Sequence, residues 1–151
     1  MENNDIEIEQ ILKWKNVAVV GLSRDPSKDS HGVALYLQKK GYKIIPVNPT
    51  ADEVIGEKCY PTLLDIPAEV AKTIEIVDVF RPSGQVPVIV EQVLQLREKM
   101  KDHPKAVWMQ VGIESEEAAA KAEKAGLLVV QDSCIMVEHR QMIMRGALRK
   151  S

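Results

Sequence analysis

Arg24 and Lys28, together with Ser23, Ser27 and Ser30, fall in one short loop, Gly21-Leu22-Ser23-Arg24-Asp25-Pro26-Ser27-Lys28-Asp29-Ser30. The loop follows an apolar run at residues 17–20 and leads into a helical pattern at residues 30–40. Hydroxyls, two cations and the free amides of a helix start are the groups that hold a phosphate or another anion. A helix N-terminus contributes roughly 0.3–1 kcal/mol to a nearby negative group, up to about 2 kcal/mol when partly buried. Lys28, just before the helix, is read as a phosphate contact; Arg24 stays open between phosphate and solvent, and His31, at the helix start, is a further candidate contact.

The loop departs from the dinucleotide fingerprint G-x-G-x-x-G. Ser23 stands where the second glycine would be and Pro26 where the third would be. The next apolar run, at residues 42–47, ends in Asn48-Pro49 rather than in the Asp or Glu that holds a ribose in NAD-binding sheets. Both departures weigh against NAD. Further candidates follow later apolar runs: Phe80 and Arg81, then Gln110, Val111, Gly112 and Ile113, then Asp132, Ser133 and Cys134. Arg81 offers a cation for an anion, Gln110 an amide, and Gly112 close backbone approach.

No catalytic constellation emerges. His31, His103 and His139 have no metal-ligand spacing, and the two cysteines, Cys59 and Cys134, form no C-x-x-C pair, so neither a metal site nor a disulfide is expected. Cys134 follows the last strand at the ligand edge and is read either as a reactive thiol or as a small buried hydrophobe. Glu138 and His139 are neighbours on a helix, diverge in direction, and are assigned to a surface or an interface. Met136, Met142 and Met144 are read as core or subunit contacts.

These residues need a scaffold that presents strand ends side by side. Short helix at Ile8, Ile11 and Leu12; strand at 17–20; helix at 30–40 with Ser30 as N-cap and Gly41 as stop; strand at 42–47: this is the order of a parallel pair joined by a right-handed crossover. A short edge strand is expected near Val54, Ile55 and Cys59, then a strand at 74–80. Val86, Ile89, Val90, Val93 and Leu94 form a helical stripe with Pro87 in its first turn. A strand at 106–111, a helix capped by Ser115 and ended by Gly126, a strand at 127–130 and a helix at 135–148 complete the chain. The pattern predicts an α/β fold, a Rossmann-like three-layer αβα sandwich with a mostly parallel five- or six-stranded sheet, as a single domain over residues 1–151. In such sheets ligands bind beyond the carboxyl ends of the strands.

Twenty basic and twenty-two acidic residues leave no global field that would draw the chain to nucleic acid or a membrane. No apolar run reaches the ~20 residues that span a bilayer, and the acidic start MENNDIEIEQ is unlike a signal peptide, so a cytoplasmic location is expected. A homo-oligomer is compatible with the sequence.

The segments VAVVGLSRDPSKDSHGVALYLQKKGYKIIPVNP, GEKCYPTLLDIP, VDVFRPSGQVPVIVEQVL, VWMQVGI and AGLLVVQDSCIMVEH, in that order, cover nearly the whole chain. Together they resemble the small stand-alone CoA-binding proteins (YccU-like, CoA-binding-domain family), which look like the CoA-binding Rossmann domain of the succinyl-CoA synthetase α-subunit. The resemblance implies coenzyme A or an acyl-CoA as ligand. It implies that Gly21, Ser23, Lys28 and Ser30, with Leu22 between them, line the phosphate loop. It further implies that Val47, Asn48 and Pro49 border the adenosine, and that Phe80, Arg81, Gln110, Gly112 and Ile113 border the remaining groove. Ser133 stands where the family commonly has arginine. The expected function is a binding or regulatory module without its own turnover; the alternative is an enzyme, either an NAD(P)-dependent oxidoreductase or an acyl-CoA or thiol-handling enzyme using Cys134.

Overall fold

Five strands, all parallel, form the centre of the protein: β1 (Asn16–Val20), β2 (Lys43–Val47), β5 (Ile76–Val79), β6 (Ala106–Met109) and β7 (Leu128–Val130), in the spatial order β2-β1-β5-β6-β7. The structure is a computed structural model and describes residues 3–148; residues 1–2 and 149–151, the ends of the expected 1–151 domain, lie outside the described residues. The strands are rich in Val and Ile and nearly every residue in them is buried, as required of a sheet covered on both faces. Register pairs such as Val19 with Asp78, and Asp78 with Trp108, align the strand ends at one edge.

Because side chains alternate across a strand, each strand feeds two separate apolar layers. Ala18, Val20, Val77, Val79, Val107 and Met109 face α4 (Val86–Met100), α5 (Glu116–Lys124) and the short α3 (Ala68–Ala71). Val17, Val19, Ile76, Ala106 and Trp108 face α1 (Asp5–Leu12), α2 (Asp29–Lys39) and α6 (Ile135–Met144). The α4 stripe buries Val86, Ile89, Val90 and Val93 as its spacing predicts, each contributing roughly 1.5–3 kcal/mol. Its fifth buried member is Leu96; Leu94 packs only at the border of the layer. Asn4 caps α1 through Ile6 N–H and Glu7 N–H, and Ser115 caps α5 through Ala118 N–H at 3.2 Å.

Several details differ from the expectations. Ser30 is not the N-cap of α2: that position belongs to Lys28, and Ser30 lies inside the first turn, 6% exposed, where its hydroxyl accepts from Ser23 N–H. The expected edge strand is a separate antiparallel hairpin, β3 (Glu53–Val54) with β4 (Glu57–Lys58), outside the main sheet. A two-residue strand is too short to extend a five-residue partner, and this region is tied to β2 by an isolated bridge, Val47 to Tyr60, and by the Lys43 to Glu57 ion pair at 2.7 Å. The last helix ends at Met144 rather than Leu148. His139, assigned to a surface or an interface, is 2% exposed within the chain itself; its Nδ1 shares a hydrogen bond with Tyr36 Oη at 2.8 Å, and the Tyr36 and Tyr42 rings meet it edge-on.

Candidate functional site

The carboxyl ends of β1, β2, β5, β6 and β7 converge, and the exits from these strands build two depressions. The larger is a cleft of about 710 Å³ on the α2/α6 side, bounded by Lys28, Phe80, Gln110, Val111, Ile113 and Met136, with Cys134 in its wall. This volume lies within the range typical of small-molecule sites, roughly 300–1,000 Å³. The smaller, about 290 Å³ on the α4 side, is lined by Gly21, Val47, Pro49 and Arg81, among others.

Alternation along β5 explains why there are two. Ile76 and Asp78 point to the α2/α6 face and Phe80 continues that parity into the cleft. Val79 points to the α4 face and Arg81 follows it into the smaller depression. The exit residues are therefore divided between two depressions, with the backbone of the β1 and β5 exits between them. These exits touch. A Cβ on Gly21, whose φ is +88°, would stand 2.8 Å from Arg81 Cδ and 3.2 Å from the Phe80 backbone, so only glycine fits.

The loop after β1 is held by its own polar groups. Ser23 Oγ accepts from Asp25 N–H, and Asp25 accepts from both the backbone amide and the hydroxyl of Ser27. Those Ser27 bonds, with lesser help from Lys28 and His31, hold the Asp25 carboxyl below its ordinary range. Lys28, exposed at the mouth of the cleft, makes no side-chain cap on α2, which leaves the helix start available to an anion. His31 is half-buried in the first turn and lines neither depression.

Other expected residues serve the scaffold. Leu22 has no exposed surface and its side chain belongs to the α2/α6 layer. Asn48 ties two exits together, donating from Nδ2 to Leu22 O while Oδ1 accepts from Thr50 N–H and Thr50 Oγ1. Gly112 has open space where a Cβ would be; its φ of +80° and the bond from its N–H to Asp132 Oδ1 at 2.7 Å are what the position requires. Ser133 is occupied with Asn3, Gln131 and Trp108, and lines neither depression. Met136 lines the cleft, Met142 is buried and Met144 is 86% exposed.

Sequence reasoning missed Asp78. Its carboxyl is fully buried under the cleft, with Oδ1 accepting from Gln110 Nε2 at 2.5 Å and Oδ2 unpartnered among the described residues. Burial pushes its pKa up to about 7, against a smaller opposing effect of the Gln110 bond. An acid set between Val77 and Val79 in a strand buried on both faces was the available signal. Burial, with a minor contribution from Lys15 and Lys40, lowers His139 to about 4. Both cysteines are free thiols, and burial raises Cys59. Among the described residues no helix is long and apolar enough to cross a membrane, and no three His, Cys, Asp or Glu side chains cluster as a metal would need.

A cleft walled by apolar groups, with a cation and a helix start at its mouth, suits an elongated ligand that is anionic at one end. Known proteins give this arrangement a context. The uncharacterized protein YneT of Bacillus subtilis is 42% identical over 134 residues, 88% of this chain and 92% of its own. A solved hypothetical protein from Pyrococcus horikoshii OT3 superposes with a TM-score of 0.81 at 38% identity, covering 93% of this chain and 92% of that one. The ADP-forming acetate–CoA ligase II of Archaeoglobus fulgidus is 37% identical over 91 residues, 59% of this chain and 13% of the ligase. Residues 15–140, which carry all five strands and every residue lining the cleft, match the family described as CoA binding domain, and the chain belongs to that family.

Proposed function

We propose that the protein binds coenzyme A or an acyl-CoA across its strand exits, as a binding or regulatory module. The observation that carries this reading is the cleft of about 710 Å³ with Lys28 and the uncapped start of α2 at its mouth and Phe80, Val111, Ile113 and Met136 in its walls. Lys28 and the α2 amides suit the phosphates, and the apolar walls suit the pantetheine arm. Val47 and Pro49, in the smaller depression, offer apolar surface for the adenine, with Arg81 beside them. Membership of the CoA binding domain family supports the same ligand.

Calorimetric titration of ligand-stripped protein with CoA, acetyl-CoA and NAD tests the reading; saturable CoA binding is expected, and tight NAD binding without CoA binding refutes it. Lys28→Ala should weaken CoA about three- to tenfold, the range for one charge-assisted contact near solvent, and leave dephosphorylated pantetheine unaffected. A second reading, thiol chemistry, is favoured by the place of Cys134 in the cleft wall. Acyl transfer or exchange with CoA disulfide that survives in Cys134→Ala removes that reading.

A further inference from the structure

Gln110, at the floor of the cleft, is 4% exposed and both ends of its amide are engaged. Nε2 donates to Asp78 Oδ1 at 2.5 Å, and Oε1 accepts from Ile135 N–H at 3.4 Å. Ile135 opens α6, whose N-cap residue Cys134 makes no side-chain bond to the first turn. Gln110, the residue that follows β6, therefore does the capping. Beneath it Asp78, in β5, has no exposed surface and Gln110 as the one hydrogen-bond partner of its carboxyl among the described residues.

We infer that Asp78 is a positioning residue for the cleft: its carboxylate holds the Gln110 amide with nitrogen towards β5 and oxygen towards Ile135, and so fixes the α6 wall that presents Cys134 and Met136 to a ligand. The inference rests on the reading that CoA occupies this cleft. An ionised carboxylate only accepts, so it admits one orientation of the Gln110 amide. A protonated carboxyl also donates, which admits the reversed amide. Reversal sets the Gln110 amide nitrogen against Ile135 N–H, two donors face to face, and the cap on α6 is lost.

Burial pushes the Asp78 carboxyl up to about 7, so both states are populated near neutral pH. The strands on either side, β1 and β6, carry no ionisable side chain. On the elements packed over this face the ionisable groups are Lys28 at the α2 N-cap; Asp29, His31, Tyr36 and Lys39 in α2; Cys134, Glu138, His139 and Arg140 around α6; and Asp5, Glu7 and Glu9 in α1.

The test combines two readouts on the full chain. In the ligand-free protein, the Ile135 amide resonance should titrate with a midpoint near pH 7 and stay still in Asp78→Asn. With CoA as the probe, Asp78→Asn should bind about three- to tenfold more weakly than the parent at pH 8, and the two should converge near pH 6. Taking the ratio of the two proteins removes the titration of CoA itself. Asp78→Leu, which leaves Gln110 Nε2 without its acceptor, replaces the Asn variant if that chain does not fold. A ratio that is constant across pH, or an Ile135 signal indifferent to Asp78, overturns the inference. An Ile135 signal that titrates as expected in a protein that binds no CoA at either pH supports the latch and overturns the CoA reading.

Discussion

Removing the Asp78 carboxyl should change how the stability of this protein depends on pH. The carboxyl is buried without any exposed surface, one of its oxygens is unpartnered among the described residues, and its pKa rises from 3.8 to about 7. A carboxyl raised in the folded state holds its proton more tightly there than in the unfolded chain. Its contribution is therefore fully present below pH 3.8 and is lost as pH rises towards and through 7. At about 1.4 kcal/mol per tenfold change in proton affinity, the complete loss is about 4 kcal/mol, of which about 2.5 kcal/mol falls between pH 5 and pH 8. Urea unfolding of the parent and Asp78→Asn at both values measures it. The stability of the parent minus that of the variant should fall by about that amount from pH 5 to pH 8. Subtracting the variant cancels every other titrating group, His139 included. A difference that stays constant within about 0.5 kcal/mol would refute the reasoning, because it would mean that Asp78 is ionised in the fold throughout this range.

The remaining predictions concern other parts of the scaffold. His139 is held at about 4, below its ordinary 6.5, so its contribution should be intact above pH 6.5 and lost as pH falls towards and through 4; His139→Phe should flatten that acid limb in thermal melts across the same range. Gly21→Ala should destabilise the fold by roughly 1–3 kcal/mol in urea, since it adds a Cβ 2.8 Å from Arg81 Cδ at a φ of +88°. Gly112→Ala, with a similar φ and open space around it, should cost less, about 1 kcal/mol. Arg97 donates to the carbonyls of Asp102, Pro104 and Ala125, and Arg97→Met should cost roughly 2–4 kcal/mol in the same assay by leaving those acceptors unpaired.

The parallel sheet was legible in the sequence because each strand is a short β-branched run and each connecting helix carries its own stripe or cap. Residues 17–20 and the four α4 residues Val86, Ile89, Val90 and Val93 needed no tertiary information, whereas the choice of Leu96 over Leu94 as the fifth did. The short pieces were harder. Two-residue strands β3 and β4 carry too few residues for a period to show, and the four-residue α3 lacks a full apolar stripe. Ser30 has the chemistry of an N-cap, yet the turn closes two residues earlier and its hydroxyl goes to Ser23. Of the expected site residues, Lys28, Phe80, Gln110 and Ile113 meet in the cleft, while Gly21, Val47, Pro49 and Arg81 meet in the depression behind it.

The sequence by itself determined which loops lie together, because a parallel α/β order brings all strand exits to one edge. It also set the chemistry at the mouth of the cleft, since Lys28 and the helix start are neighbours along the chain. Only the tertiary structure decided which face each exit residue serves, for Phe80 and Arg81 are adjacent in sequence and alternation sends them to opposite sides of the sheet. Only it joined Asp78, Gln110 and Ile135, which stand on β5, just past the end of β6 and at the start of α6, and meet because Asp78 is in register with Trp108 and Gln110, two residues on, shares its face of the sheet. Local spacing cannot encode that contact, which depends on strand order, and strand order is fixed by how the two apolar layers pack.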